Sequence, residues 1–274
     1  MEKFVKIQGL TPFLLLLTLL LVAPPAHAKK LGFFIVQPGG EGDTESALPY
    51  LTEFFAYLSE QTQVAVDGKY LNDTDEAVGV FKSKSVDLAI VSHAFYEKYK
   101  DEFKLKTILA TVPSYSAGPY EKYHIMAHAG THLNKLEANN VAHNLISSQN
   151  ISQDFLNKKI LGGDLRVSGR KWQIQHADNL LAEIRTVAAG TSSAFILLNG
   201  YEFSVINQLK QTRAEFRGLV LVYSSAELPS SKLVTVGEAA PIETITQALL
   251  TMSTNLKGSV ALKNLRLKGF ARVP

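Results

Sequence analysis

Cysteine is absent from the 274-residue chain, which removes structural disulfides, thiol nucleophiles, thiolate-held zinc and iron–sulfur clusters together. Charge of one sign is also missing, since 28 Lys and Arg stand against 25 Asp and Glu. A nucleic-acid binder presents a far denser positive field, so nucleic acid is not an expected partner. Catalytic signatures are lacking too: there is no G-x-S-x-G elbow, no phosphate loop with its lysine and no G-x-G-x-x-G fingerprint. Carboxylate pairs such as Asp73/Asp75 and Asp101/Glu102 sit in polar stretches and read as solvated helix ends. The chain is therefore not expected to be an enzyme, and no cofactor is implied. What is present is apolar material, 46% of residues against 19% charged, enough to bury a sizeable core in one large domain or two modest ones.

The N-terminus has a layout of its own. Lys3 and Lys6 precede the apolar run Phe13 to Ala23, followed by Pro24-Pro25 and the small-residue pattern Ala26-His27-Ala28. That order is the three-part plan of a secretory signal peptide, with cleavage expected after Ala28. A run of 11 residues is well short of the roughly 20 that span a bilayer. Without a cysteine to carry a lipid, residues 29–274 are expected free in the periplasm.

After the leader the pattern is α/β. Leu31 to Gln37 is a continuous apolar run closed by Pro38-Gly39-Gly40, the mark of a buried strand and a turn. Leu48, Leu51, Phe54, Phe55 and Leu58 then recur at helical spacing, followed by a short strand at Val64 to Val66 and a helix from Thr74 to Lys84. Val86 to Val91 is another buried strand. Strand and helix alternating at this distance predict βαβ crossovers and a mostly parallel sheet. Pro113 to Pro119 and Ser224 to Ser231 are turn-rich and read as linkers. Between them lie strands at Tyr123 to Ala127, Asn140 to Ile146, Ser193 to Leu198 and Gly218 to Tyr223, with helices at Ser152 to Ile160 and Ala177 to Ala189. The C-terminal part carries a strand at Leu233 to Val236 and helical patterns through Pro241 to Leu256 and Ser259 to Leu267. The expected organisation is a leader at 1–28, the first part of one lobe at 29–115, a second lobe at 116–225 and a return to the first lobe at 226–274.

Three histidines, His124, His128 and His132, are spaced by four, which on a helix would align them for a metal. Tyr123 to Ala127 reads as strand, however, which puts His124 and His128 about 13 Å apart. No metal site is expected. Open α/β sheets present ligands at the C-terminal ends of their strands, and the polar loops there supply the candidates. The first loop, Pro38 to Thr44, offers Gly40 and Thr44 beside a helix start. The second offers Ser92, His93 and Tyr96, and the third Ser147, Ser148 and Gln149. His176 precedes a helix, Asn199 and Tyr201 follow a strand, and the lone Trp172 is expected near the second lobe's half of the cleft.

The stretch from Leu31 to Tyr96, with Tyr57-Leu58-Ser59 closing a helix and Ser85-Val86-Asp87-Leu88-Ala89 leading into a strand, resembles the substrate-binding proteins of phosphate/phosphonate-type ABC transporters. The tail is similar to that family's close, in Ala248-Leu249-Leu250, Gly258, Leu262, Leu265 and Gly269-Phe270. The resemblance implies the type II periplasmic binding protein fold, two lobes joined by two crossover linkers. It also implies a ligand tyrosine at Tyr96, an anion loop at Ser147 and Ser148, a ligand histidine at His176, and Asn199 in place of an acidic residue. The family's serine-threonine-serine-glycine loop reads here Ser147-Ser148-Gln149-Asn150, a departure that bears on the ligand and not on the fold. The function expected is a monomeric binding protein that closes on a small polar or anionic solute and delivers it to an inner-membrane ABC permease. A ligand sensor docking on a kinase, or a secreted metal-dependent enzyme, are the alternatives.

Overall fold

The computed structural model describes residues 30–38, 44–131, 142–162, 170–237 and 242–273. Gly40 and His132 lie outside the described residues, as does the leader. Strand β1 (Leu31–Val36) shows why its sequence is apolar without interruption. Leu31, Phe33 and Ile35 enter one core while Phe34 and Val36 enter the core on the opposite face, so alternation is hidden because both faces are covered. Helix α1 (Thr44–Thr62) supplies Leu51, Phe54, Phe55 and Leu58 to the first face. Phe33 meets Phe54 edge-on with ring centroids 5.3 Å apart. Helix α2 (Thr74–Lys82), capped by Asp73, brings Ala77 and Phe81 to the second face.

Strands β2 (Val66–Asp67), β3 (Tyr70–Leu71) and β4 (Leu88–Val91) all pair in parallel with β1. Three further strands complete the first sheet: β5 (Leu105–Pro113), β13 (Lys232–Val236) and β14 (Leu267–Arg272). They give the order β14-β5-β13-β4-β1-β2, with β3 also on β1. The second sheet runs β11 (Leu219–Ser224), β7 (Tyr123–His128), β10 (Phe195–Asn199), β8 (Ala142–Ser147) and β9 (Lys171–His176). Its faces are covered by α5 (Leu180–Ala188) and α6 (Gly200–Thr212) on one side. On the other lies the short helix α4 (Gln153–Phe155), which runs into a π turn at Leu156–Ile160.

The two-lobed α/β architecture stands, but the sheets are mixed where mostly parallel ones were expected. β13 is antiparallel to both β4 and β5, and β7 is antiparallel to β10 and β11. The reason is the direction of entry. Both strands start at the linkers, where Lys232 lies opposite Val91 and Tyr123 opposite Asn199, so they run against neighbours that end there. A ribbon ties the linkers together: β6 (Tyr120–Glu121), just after the first, pairs antiparallel with β12 (Leu228–Pro229) in the second.

Several elements differ from the sequence expectation. Ser92 to Tyr96 is not an open loop: Ser92 caps helix α3 (His93–Tyr99). Asn199 likewise caps α6 in place of starting a loop. The helical pattern expected to run to Leu267 stops with α8 (Leu256–Asn264), which follows α7 (Ile242–Leu250), and Arg266 turns with φ 58° into edge strand β14. β5 and β9 were not expected at all. β9 is an edge strand whose burial alternates weakly, the kind of strand a periodicity search misses. Among the described residues no helix is long and apolar enough to cross a membrane.

Candidate functional site

Helix α3, which follows β4, carries a contact between the lobes. The buried ring of His93 packs edge-on against Phe155 of the second lobe at 5.7 Å, and Ala94 joins that lobe's core. One turn on, Glu97 pairs across the junction with Lys159 at 3.6 Å and within its own helix with Lys100 at 3.5 Å. His93 Nδ1 is buried without a hydrogen-bond partner among the described residues. Burial, ahead of the weaker opposing pull of Glu97, lowers the His93 pKa to about 4, with Lys232, Lys159 and Lys100 adding to the effect. The imidazole is therefore neutral near pH 7. The ring of Tyr96 is covered by the Lys232 ammonium at 3.7 Å.

On the second lobe the three expected loop residues turn their polar atoms inward. Ser147 is fully buried and its Oγ accepts from Gln149 N at 3.1 Å. Ser148 donates to the buried carboxylate of Glu202, and Gln149 Oε1 accepts from the Tyr123 hydroxyl at 3.3 Å. Asn199 and Glu202 form a reciprocal capping box at the head of α6, with Glu202 Oε2 accepting from Asn199 N at 2.8 Å. His176 ends β9 opposite Ser147 but is exposed, its Nε2 3.5 Å from Asp178. Thr44 donates to the Tyr70 carbonyl. Tyr201 faces the hinge, under the Arg266 guanidinium at 3.8 Å and 6.4 Å from the Tyr115 ring. Gly200 belongs to the same contact, because a Cβ there would lie 2.4 Å from that tyrosine.

Trp172 is not at the cleft as expected. It lies near the far end of β9, opposite His143, buried edge-on against Phe195. His124 and His128 sit on one strand in separate settings: His124 stacks on Phe203 and bonds Ser224, while His128 bonds the Ala188 carbonyl. A groove of about 540 Å³ lies behind the linkers against α6, lined by Tyr115, Glu121, His124, Phe203 and Glu227 among others. None of the lobe-junction candidates Ser92, His93, Tyr96, Ser147 or Ser148 reaches it, so it is distinct from the junction.

Sequence reasoning passed over Glu121 and Glu202. The second was legible, because Asn199-x-x-Glu202 before a helix is a capping-box pattern. Although Glu121 is half-buried as a residue, its carboxyl is enclosed with the Tyr115 hydroxyl. Burial first, then the Glu202 charge, raises its pKa to about 7 from 4.5, with the Tyr115 bond opposing. The same burial pushes the Tyr115 and Tyr123 phenols up. A raised folded pKa favours the protonated acid, so this contribution is complete below about pH 4.5 and is lost as pH rises through about 7. Buried His93 and His124, both lowered to about 4, act in the other direction and cost stability as pH falls below 6.5. The Glu121→Gln variant is expected to gain in melting temperature over the wild type between about pH 5 and about pH 8. A constant difference across that range would show that Glu121 does not titrate there.

The family model described as "ABC transporter, phosphonate, periplasmic substrate-binding protein" matches residues 48–273. Among solved structures, the chain is similar to a binding protein component of an ABC phosphonate transporter from Pseudomonas aeruginosa. That pair has 14% identity and a TM-score of 0.63, covering 89% of this chain and 82% of that one. It is similar to a chloride-bound protein from Xanthomonas citri at 13% identity and TM-score 0.67, covering 89% and 91%. It is also similar to PhnD1 from Prochlorococcus marinus in complex with methylphosphonate, at 17% identity and TM-score 0.63, covering 90% and 93%. At these identities the structures speak for the fold alone. No curated protein matches the sequence. Since the family model spans most of the chain, from α1 to β14, the chain belongs to the family of periplasmic substrate-binding proteins of phosphonate ABC transporters.

Proposed function

We propose that this protein captures a small oxyanion-bearing solute where its lobes meet and passes it, in the periplasm, to an inner-membrane ABC permease. Residues 29–115 and 226–274 act as one lobe and 116–225 as the other, swinging about the paired linkers. His93, Ser92 and Tyr96 touch the solute from the first lobe. Ser147, Ser148, Gln149 and Asn199, whose side-chain oxygens are engaged within the protein, shape the opposite wall, with His176 at its edge, Thr44 on the first lobe and Tyr201 at the hinge margin. The protein acts as a monomer and has no catalytic step. The observation that carries this reading is His93 Nδ1, a polar atom buried at the lobe junction with no hydrogen-bond partner among the described residues. Buried polar atoms are paired in all but a few cases, and a solute between the lobes supplies the partner.

Methylphosphonate, inorganic phosphate, sulfate and amino acids form the test panel, read by melting temperature because Trp172 is sequestered in the second lobe's core. A ligand at 100 times its dissociation constant adds about 2.7 kcal/mol. At about 2–4 °C per kcal/mol for a chain of this size, the expected rise is about 5–10 °C. A panel in which only amino acids shift the transition, or nothing does, would contradict the assignment.

A further inference from the structure

The loop expected to bind the anion has already committed its donors. Ser148 gives its hydroxyl proton to Glu202, and Gln149 N points to Ser147 Oγ. An oxyanion placed there would also meet the buried Glu202 carboxylate. Positive charge is gathered elsewhere. Lys100 at the end of α3 and Lys159 in the π turn of the second lobe converge on one carboxylate, Glu97, and Lys232 at the start of β13 lies beside them. Its two oxygens are divided between the lobes: Oε1 lies 3.5 Å from Lys100 and Oε2 lies 3.6 Å from Lys159. Lys232 lies over the Tyr96 ring at 3.7 Å, with Lys100 at 5.7 Å from the same ring. The cluster thus holds three ammonium groups for one carboxylate. Its inner end is His93, 6% exposed and unpartnered at Nδ1.

We propose that Lys100, Lys159 and Lys232 form an oxyanion site shared between the lobes, in which the Glu97 carboxylate is a built-in stand-in that an entering oxyanion displaces. This rests on the solute-binding reading above and adds where the anion goes and what competes with it. The charges are mutually close. Glu97 is held below the usual carboxylate range: its burial acts upward, but Lys100, His93, Lys159 and Lys232 together outweigh it. A tetrahedral oxyanion offers at least three oxygens where Glu97 offers two, so it can engage Lys232 along with Lys100 and Lys159. His93 N–H in the appropriate tautomer completes the set from below. With Glu97 in place the lobes are bridged without ligand. With an oxyanion in place, the bridge is stronger and contains the solute.

Calorimetric titration of the purified protein with methylphosphonate, and separately with inorganic phosphate, tests this. Glu97→Gln removes the competing charge and is expected to tighten binding about tenfold, whereas Lys159→Gln and Lys232→Gln are each expected to weaken it about tenfold or more. These side chains are partly exposed, Glu97 by 26% and Lys159 by 44%, with Lys232 also between buried and exposed, so all three variants are expected to fold, which circular dichroism and melting temperature check. If the wild type binds and the three variants bind equally well, or if Glu97→Gln binds more weakly, the lysine site is overturned while the solute-binding reading survives. If neither the wild type nor Glu97→Gln binds any oxyanion, both are overturned.

Discussion

Replacing Glu202 by alanine is expected to lower stability by about 2–4 kcal/mol, which at about 2–4 °C per kcal/mol is a fall of about 5–15 °C in melting temperature. Glu202 is 8% exposed, and its carboxylate accepts from the Ser148 hydroxyl and from Asn199 N. Hydrogen bonds to a charged group contribute about 1.5–3 kcal/mol each, and their loss leaves a half-buried hydroxyl and the N–H of a helix cap without these acceptors. The reverse bond, Glu202 N to Asn199 Oδ1 at 2.9 Å, survives the substitution. Relief of the repulsion with Glu121 offsets part of the loss and brings it below the sum of two charged bonds. Glu202→Gln separates the effects: its carbonyl oxygen still accepts from Asn199 N and the serine hydroxyl can rotate to accept, so a smaller fall is expected. Equal falls in the two variants would show that the charge and not the bonding matters, and an unchanged alanine variant would remove Glu202 from the second lobe's scaffold.

The larger loss is expected at Phe33→Ala. Phe33 has no exposed surface, sits in the centre of β1, and touches Phe54 and Phe55 of α1 at centroid separations of 5.3 and 5.9 Å. Truncating a buried phenylalanine costs about 3–5 kcal/mol through lost transfer energy and the cavity left behind, and the edge-on contact with Phe54 adds to it. Collapse of the cavity is resisted from below, because the Phe33 carbonyl lies close against Gly68, where even a Cβ would fall 1.5 Å from that oxygen. The expected consequence is a first-lobe transition lowered by about 10 °C or more in calorimetry. A shift under about 3 °C would mean that the β1–α1 core is not what holds this lobe.

Those two residues also mark how far the sequence could be read. Phe33 was visible at once: Leu31 to Gln37 is a run that only a strand covered on both faces needs, and the following helix announces its buried stripe at Leu51, Phe54, Phe55 and Leu58. Strands with one weakly buried face escaped, as β9 and β14 did, because their alternation is interrupted by Gln, Lys and Gly. Helix α3 escaped because its first residues are polar and aromatic, which reads as a loop until Ser92 is seen accepting from Phe95 N at 3.2 Å. The direction of β7 and β13 followed from where the linkers enter, information no local pattern contains.

For the site, the sequence nominated strand ends and named Ser92, His93, Tyr96, Ser147, Ser148 and Gln149; in the fold the first three form the cap and first turns of α3 after β4, and the last three end or follow β8. It gave no hint that Ser148 would spend its proton on Glu202, 54 residues away, or that Lys159 would reach Glu97 across the lobes. Hydrophobic periodicity is local, since each apolar side chain needs only to leave water on the side its strand or helix dictates, so architecture was determined by the chain alone. Pairing of charges is not local: a lysine on a polar face is the same residue whether it meets solvent or a carboxylate of the other lobe, and only the packed lobes decide which.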